Sequence, residues 1–144
     1  MFAVDTNIFL YACNPSSPEY ARARELIEGW RLDSLPWYIS WGVAYEFLRV
    51  ATHPSIFPNP LSGKQALAFL DAIFASSSLR ILNHTSAHWS LLKADYATHH
   101  WLQGNLIHDF HTLVLMREQG IKTIYTRDND FRQFEGIEVI DPFR

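Results

Sequence analysis

The sequence predicts an α/β fold, a parallel sheet of about four to five strands flanked by helices on both faces. Two observations carry this expectation. Strand-length apolar runs alternate with stretches of helical spacing along the whole chain, the pattern of parallel strands joined by helical crossovers. The chain is also short and rich in core material: 144 residues, 48% hydrophobic and 15% aromatic, enough for one dense core. Residues 1–144 are therefore read as a single domain, with no internal repeat, linker or low-complexity stretch.

The elements follow in order. Phe2-Ala3-Val4 reads as a short buried strand ended by Asp5-Thr6-Asn7. A turn or short helix follows at Ile8 to Tyr11, then a loop at Asn14 to Pro18. From Glu19 to Trp30 the spacing is helical, with Ala23, Leu26, Ile27 and Trp30 on one face. Trp37 to Ile39 is a second strand, and Ser40 is placed to cap a helix from Trp41 to about Thr52. His53 to Pro60 holds three prolines and must be a loop. Ser62 caps the next helix, which runs through Leu67, Leu70, Ile73 and Phe74. Leu79 to Leu82 is a third strand, and Thr85 is the expected start of a helix through Trp89, Leu92 and Tyr96. A helix from Leu106 to Gln119 stops at Gly120, a residue suited to a C-terminal cap. Ile121 to Tyr125 is a fourth strand and Ile137 to Ile140 a fifth, joined by a loop with room for one helical turn.

Composition excludes several classes. The apolar content is too high for a disordered chain. A net charge of −3 argues against a generally basic nucleic-acid binder, although setting four particular acids aside turns it into +1. Cys13 is the only cysteine, so no disulfide can form within the chain. No apolar run approaches the ~20 residues of a membrane span. The N-terminus lacks the basic and long apolar regions of a signal peptide, so a cytoplasmic location is expected.

The four acids are Asp5, Glu46, Asp109 and Asp128. Asp5 and Asp128 lie just past the carboxyl ends of apolar runs, where open α/β sheets bind their ligands. Asp109 lies in the first turn of a helix, where backbone N–H groups and the dipole favour its ionised form. Glu46 sits beside the apolar face of its helix, among Val43, Phe47 and Val50. There it either meets a metal or pairs with Arg49, three residues on. Each acid alone has an ordinary explanation as a turn or helix-start residue. Together on one α/β chain they form a group that repels itself unless divalent cations fill it.

Four blocks then carry a resemblance: Val4-Asp5-Thr6-Asn7, Ser40 through Glu46-Phe47, Gly104-Asn105-Leu106-Ile107-His108-Asp109, and Thr126-Arg127-Asp128-Asn129-Asp130-Phe131. In this order and spacing they resemble PIN-domain ribonucleases, and within them the VapC-type toxins of bacterial toxin–antitoxin pairs, nearly end to end. The resemblance implies a single PIN-like domain, usually dimeric, that cleaves RNA phosphodiester bonds by metal-activated water with Mg²⁺ or Mn²⁺. It implies that Asp5 and Asp109 are the principal metal ligands and catalytic residues, with Glu46 and Asp128 completing the cluster directly or through water. Asn7 and Thr126 match positions that orient carboxylates, and Asp130 matches a more variable position, ranked lower. A cognate antitoxin protein and a homodimer are the partners it implies, with no membrane. Phe110 departs from the small residue often found after this aspartate. The competing readings are a catalytically silent RNA-binding or scaffold module of the same fold, and a metal-dependent phosphatase.

Other features compete for the same functions. His108 and His111 stand three apart and His84 and His88 four apart, spacings that zinc sites use. With Thr85 as the helix start, His84 falls outside the helix, and the zinc reading is the weaker one. Trp37, Tyr38, Trp41 and Tyr45 read as an aromatic cluster, for core or dimer packing in preference to base stacking. Arg49, Arg127 and Arg132 are either phosphate contacts or solvated surface residues.

Overall fold

A computed structural model describes residues 1–144. Five strands form one sheet: β1 (Phe2–Val4), β2 (Trp37–Ser40), β3 (Leu79–Leu82), β4 (Thr123–Tyr125) and β5 (Glu138–Ile140). Their order is β3-β2-β1-β4-β5, and every neighbouring pair is parallel. Six helices accompany them: α1 (Thr6–Ala12), α2 (Tyr20–Leu32), α3 (Trp41–Ala51), α4 (Gly63–Phe74), α5 (His88–Thr98) and α6 (Leu106–Glu118). A 3₁₀ turn spans Asn129–Gln133. No helix is long and apolar enough to cross a membrane.

The sheet separates two cores, as the period of two along a strand requires. Val4 joins one with Ile8, Phe9, Ile27, Phe47 and Leu70, contributed by α1 to α4. Ala3, the residue before it, joins the other with Phe110, Leu113, Val114 and Phe131. Helix α6 buries four consecutive residues, Leu113 to Met116, whereas α5 buries none. A helix apolar on several sides belongs inside, and α5 lies over it as an outer layer.

Local chemistry sets the boundaries. Ser40 accepts the Val43 N–H at 3.2 Å, and Ser62 with Gln65 forms a reciprocal capping box. Helix α6 ends in a Schellman turn: Gly120 has φ +68°, its N–H donates to Arg117 O, and the Ile121 N–H donates to Met116 O at 2.8 Å. This turn consumes Ile121, so β4 starts at Thr123 instead of Ile121. Helix α5 starts at His88, not Thr85, because Thr85 is committed elsewhere: its N–H and Oγ1 both donate to Glu118 Oε1, at 2.9 and 2.7 Å.

The expected aromatic cluster does not form. Trp37 is buried in the first core with its Nε1 donating to Ser78 Oγ, while Tyr38 points to the other face of β2 and packs on the second core. Trp41 and Tyr45 remain exposed on α3, Trp41 leaning on Phe74.

Candidate active site

The strand order reverses at β1: β2 and β3 extend on one side, β4 and β5 on the other. The crevice beyond the carboxyl ends of β1 and β4 is therefore the switch point, where such sheets bind ligands. Val4 pairs with Tyr125, and the Asp5 N–H donates to Tyr125 O at 3.1 Å, which sets Asp5 beside Thr126.

One wall of the crevice is built from these strand ends, and its hydrogen bonds are closed. Asp5 Oδ1 accepts the Thr6 N–H at 2.7 Å and caps α1. Its Oδ2 accepts from Asn7 Nδ2 at 2.7 Å and from Thr126 Oγ1 at 2.6 Å. Thr126 is fully buried; its hydroxyl also accepts from Asn7 Nδ2 at 2.8 Å and from the Asp128 N–H at 2.9 Å. Asp128 Oδ1 in turn accepts the Asp130 N–H at 2.8 Å and starts the 3₁₀ turn. One polar relay thus runs from Asp5 through Thr126 to Asp130 and sets three carboxylates along this wall.

The facing wall is helical. Asp109 sits in the first turn of α6, and no hydrogen bond engages its carboxylate. Glu46 on α3 lies near Arg49, as one reading expected, and also meets Thr6. Its Oε2 accepts from Thr6 Oγ1 at 2.9 Å, and its Oε1 lies 3.8 Å from Arg49 Nη2, with the side chain 47% exposed. Glu46 and Asp109 line three adjoining cavities, of which the two larger measure about 280 and 560 Å³. Asp5 opens into the first of these, and Asp128 and Asp130 into the second. Carboxylate oxygens of Asp109, Asp128 and Asp130 all lie within 4.8 Å of one another.

Crowding shows in the acidities. Burial, then Glu46 and Asp128, push Asp5 up to about 6 against the hydrogen bonds from Thr126 and Thr6. Burial, then Asp5, Asp128, Asp130 and Glu46, push Asp109 up to about 7. His111 is held below its ordinary value by burial and by neighbouring histidines. The donor set is carboxylate oxygen throughout, which fits a hard divalent cation.

The structure gathers all five acids named from the sequence, together with Asn7 and Thr126 in the relay. Asp130, ranked lowest, belongs to the tightest trio. Among the lining residues, Thr112 went unnamed. Asn105, His108, Asp109 and Thr112 recur at helical spacing along one face of α6, a signal the sequence contained. Thr6 lies inside the Asp-Thr-Asn turn, and only the fold shows that it holds Glu46. Of the three arginines, Arg49 alone lines the acidic cavities. Arg127 pairs with Glu19 and lies over the Tyr11 ring, and Arg132 donates to Asn129. Phe110 turns into the second core against Tyr96 and leaves the crevice open.

The PIN domain, as a family, matches residues 2–137. The chain belongs to the PIN-domain family. Ribonuclease VapC48 of Mycobacterium tuberculosis is 33% identical over 141 residues, 96% of this chain and 95% of that protein. Ribonuclease VapC37 of the same species is 30% identical, over 99% of this chain and 97% of that protein. Among solved structures, M. tuberculosis VapC20, described as a sarcin-ricin loop cleaving toxin, superposes with a TM-score of 0.66 at 19% identity. That match covers 92% of this chain and 94% of VapC20. VapBC2 from Rickettsia felis, solved on a DNA fragment from its promoter, gives a TM-score of 0.63 at 17% identity over 96% of each chain. At these identities the two structures establish the shared PIN fold.

Proposed function

We propose that this PIN domain is a metal-dependent endoribonuclease, the toxin of a toxin–antitoxin pair, acting in the cytoplasm as one domain over residues 1–144. The observation that carries the reading is the convergence of Asp5, Glu46, Asp109, Asp128 and Asp130 on one crevice at the switch point. The VapC ribonucleases that match along nearly the whole chain give the class of reaction.

Asp109, Asp128 and Asp130 would hold the cation on one side, and Asp5 and Glu46 on the other, with Mg²⁺ or Mn²⁺ as the ion the oxygen donors favour. When bound, such an ion supplies Lewis-acid polarisation of the phosphodiester and a water nucleophile at neutral pH. The chain's own residues do the positioning. Thr126 and Asn7 hold Asp5 in one orientation, and Thr6 does the same for Glu46. Asp128 fixes the turn that presents Asp130. Arg49, the cation in the cavity, is placed to meet a phosphate as well as Glu46.

We assign RNA as substrate, a cognate antitoxin with a basic segment as partner, and a homodimer as the assembly. The acidic crevice suits a basic segment, and the exposed Trp41 and Tyr45 on α3 offer apolar surface for pairing. The test is induced expression followed by sequencing of the new RNA ends. Wild-type protein is expected to give new ends with 5′ phosphates, and Asp5→Ala none. Identical ends from both proteins would exclude the assignment.

A further inference from the structure

Histidines form a second group that the carboxylate crevice does not use. The sequence pairs His84 with His88 and His108 with His111. Packing of α5 on α6 regroups them. His84, in the loop after β3, lies with its ring centroid 5.6 Å from that of His88, the first residue of α5. His88 in turn lies 5.8 Å from His111 of α6. His111 lines the smaller of the two main acidic cavities, whereas His84 and His88 line neither. The histidine row therefore begins where the carboxylates end.

Glu118 fixes the middle ring. Its side chain has no exposed surface, and its Oε2 lies 2.6 Å from His88 Nδ1. Its other oxygen is occupied by the Thr85 N–H and hydroxyl, so the carboxylate cannot turn away. A carboxylate at Nδ1 makes that nitrogen the N–H and leaves Nε2 with its lone pair free. This is the arrangement by which carboxylates orient metal-binding imidazoles and raise their basicity. His84 is exposed and His111 only partly shielded, so an ion reaches the group from solvent; the three imidazoles do not yet meet at one point, and the outer two rings would turn inward to hold the ion.

We propose that His84, His88 and His111 form a second metal site, for a Zn²⁺-class transition ion, with Glu118 as its positioning residue. The two sites divide by donor chemistry. Imidazole nitrogen selects Zn²⁺, Ni²⁺ or Cu²⁺, and carboxylate oxygen selects Mg²⁺ or Mn²⁺. Three imidazoles satisfy three positions of a tetrahedral ion and leave the fourth to water. The ion ties the loop after β3 to α6 at the start of α5, the helix that buries no residue of its own. The bound form should therefore resist heat better than the metal-free form.

The experiment is calorimetric titration of the metal-stripped full chain with Zn²⁺ in excess Mg²⁺, repeated with Co²⁺ to read the visible spectrum of the ion. One equivalent is expected in the wild type, and also in an Asp128→Asn, Asp130→Asn double variant. It should be lost in His84→Asn and in His88→Ala, and Glu118→Gln should weaken it about 10- to 100-fold. His84 is exposed in a loop, so His84→Asn keeps the fold if His88→Ala does not. No Zn²⁺ equivalent in the wild type, or one that survives His84→Asn, would overturn the site. So would an equivalent lost with the two aspartates.

Discussion

The two walls of the crevice hold their acids by opposite means. The strand-end wall is closed: Asp5 accepts three hydrogen bonds, and Thr126 links it to Asp128. The helix wall is open, with Asp109 bound by nothing and raised to about 7 by burial and four like charges. Asp5 is raised less, to about 6, because its donors offset part of the same penalty. The strand ends thus supply a carboxylate already fixed in place. The helix supplies one whose charge costs free energy until a cation arrives.

The largest effects should come from removing either anchor, and the two removals should differ in kind. Asp109→Asn is expected to reduce RNA cleavage to the level of wild type in EDTA. The same change should raise the melting temperature of the metal-free protein at pH 8, since a repelled charge disappears. Asp5→Ala should abolish cleavage as completely, yet lower stability by about 1–3 kcal/mol at pH 5, where the buried donors of Asn7 and Thr126 lose their acceptor. Urea unfolding of both variants separates these outcomes; equal stability changes would erase the distinction between the walls. Next in size is Thr126→Val, which removes the hydroxyl linking Asp5 to the Asp128 backbone. It should weaken Mn²⁺ binding about 10- to 100-fold, measured by titration.

The smallest effect is a pH dependence. Asp5 and Asp109 hold their protons more tightly in the folded chain than at the ordinary value of 3.8. Their contribution to stability is therefore complete below about pH 4 and is lost as pH rises through 6 and 7. In EDTA the melting-temperature gap between Asp109→Asn and wild type should widen from pH 5 to pH 8. Saturating Mg²⁺ should close it from the wild-type side. A gap that stays constant with pH would mean that Asp109 carries no excess repulsion.

The closed wall was legible in the sequence and the open one only in part. Asp5, Asn7, Thr126 and Asp128 sit in short motifs at strand ends, where local chemistry and position agree. The sheet, its helices and most caps follow from alternation and from Ser40, Ser62 and Gly120, for the same reason. Asp130 ranks low in the sequence because its place beside Asp109 and Asp128 depends on Asp128 starting a 3₁₀ turn, a detail of one hydrogen bond. Glu46 stays open between a metal and Arg49 because nothing local shows that Thr6 of α1 reaches its other oxygen. Trp37 to Tyr45 looked like a cluster because adjacency in sequence hides the alternation of a strand. Thr85 looked like a helix start because nothing local reveals that Glu118 claims it.

The most direct test of the account is cleavage of a labelled structured RNA by purified protein across a Mn²⁺ titration, beside Asp109→Asn. Wild type should cleave in proportion to bound metal, stop in EDTA and leave 5′ phosphates, while the variant stays silent at every concentration. Cleavage that persists in EDTA, or that Asp109→Asn retains at the wild-type rate, would contradict it.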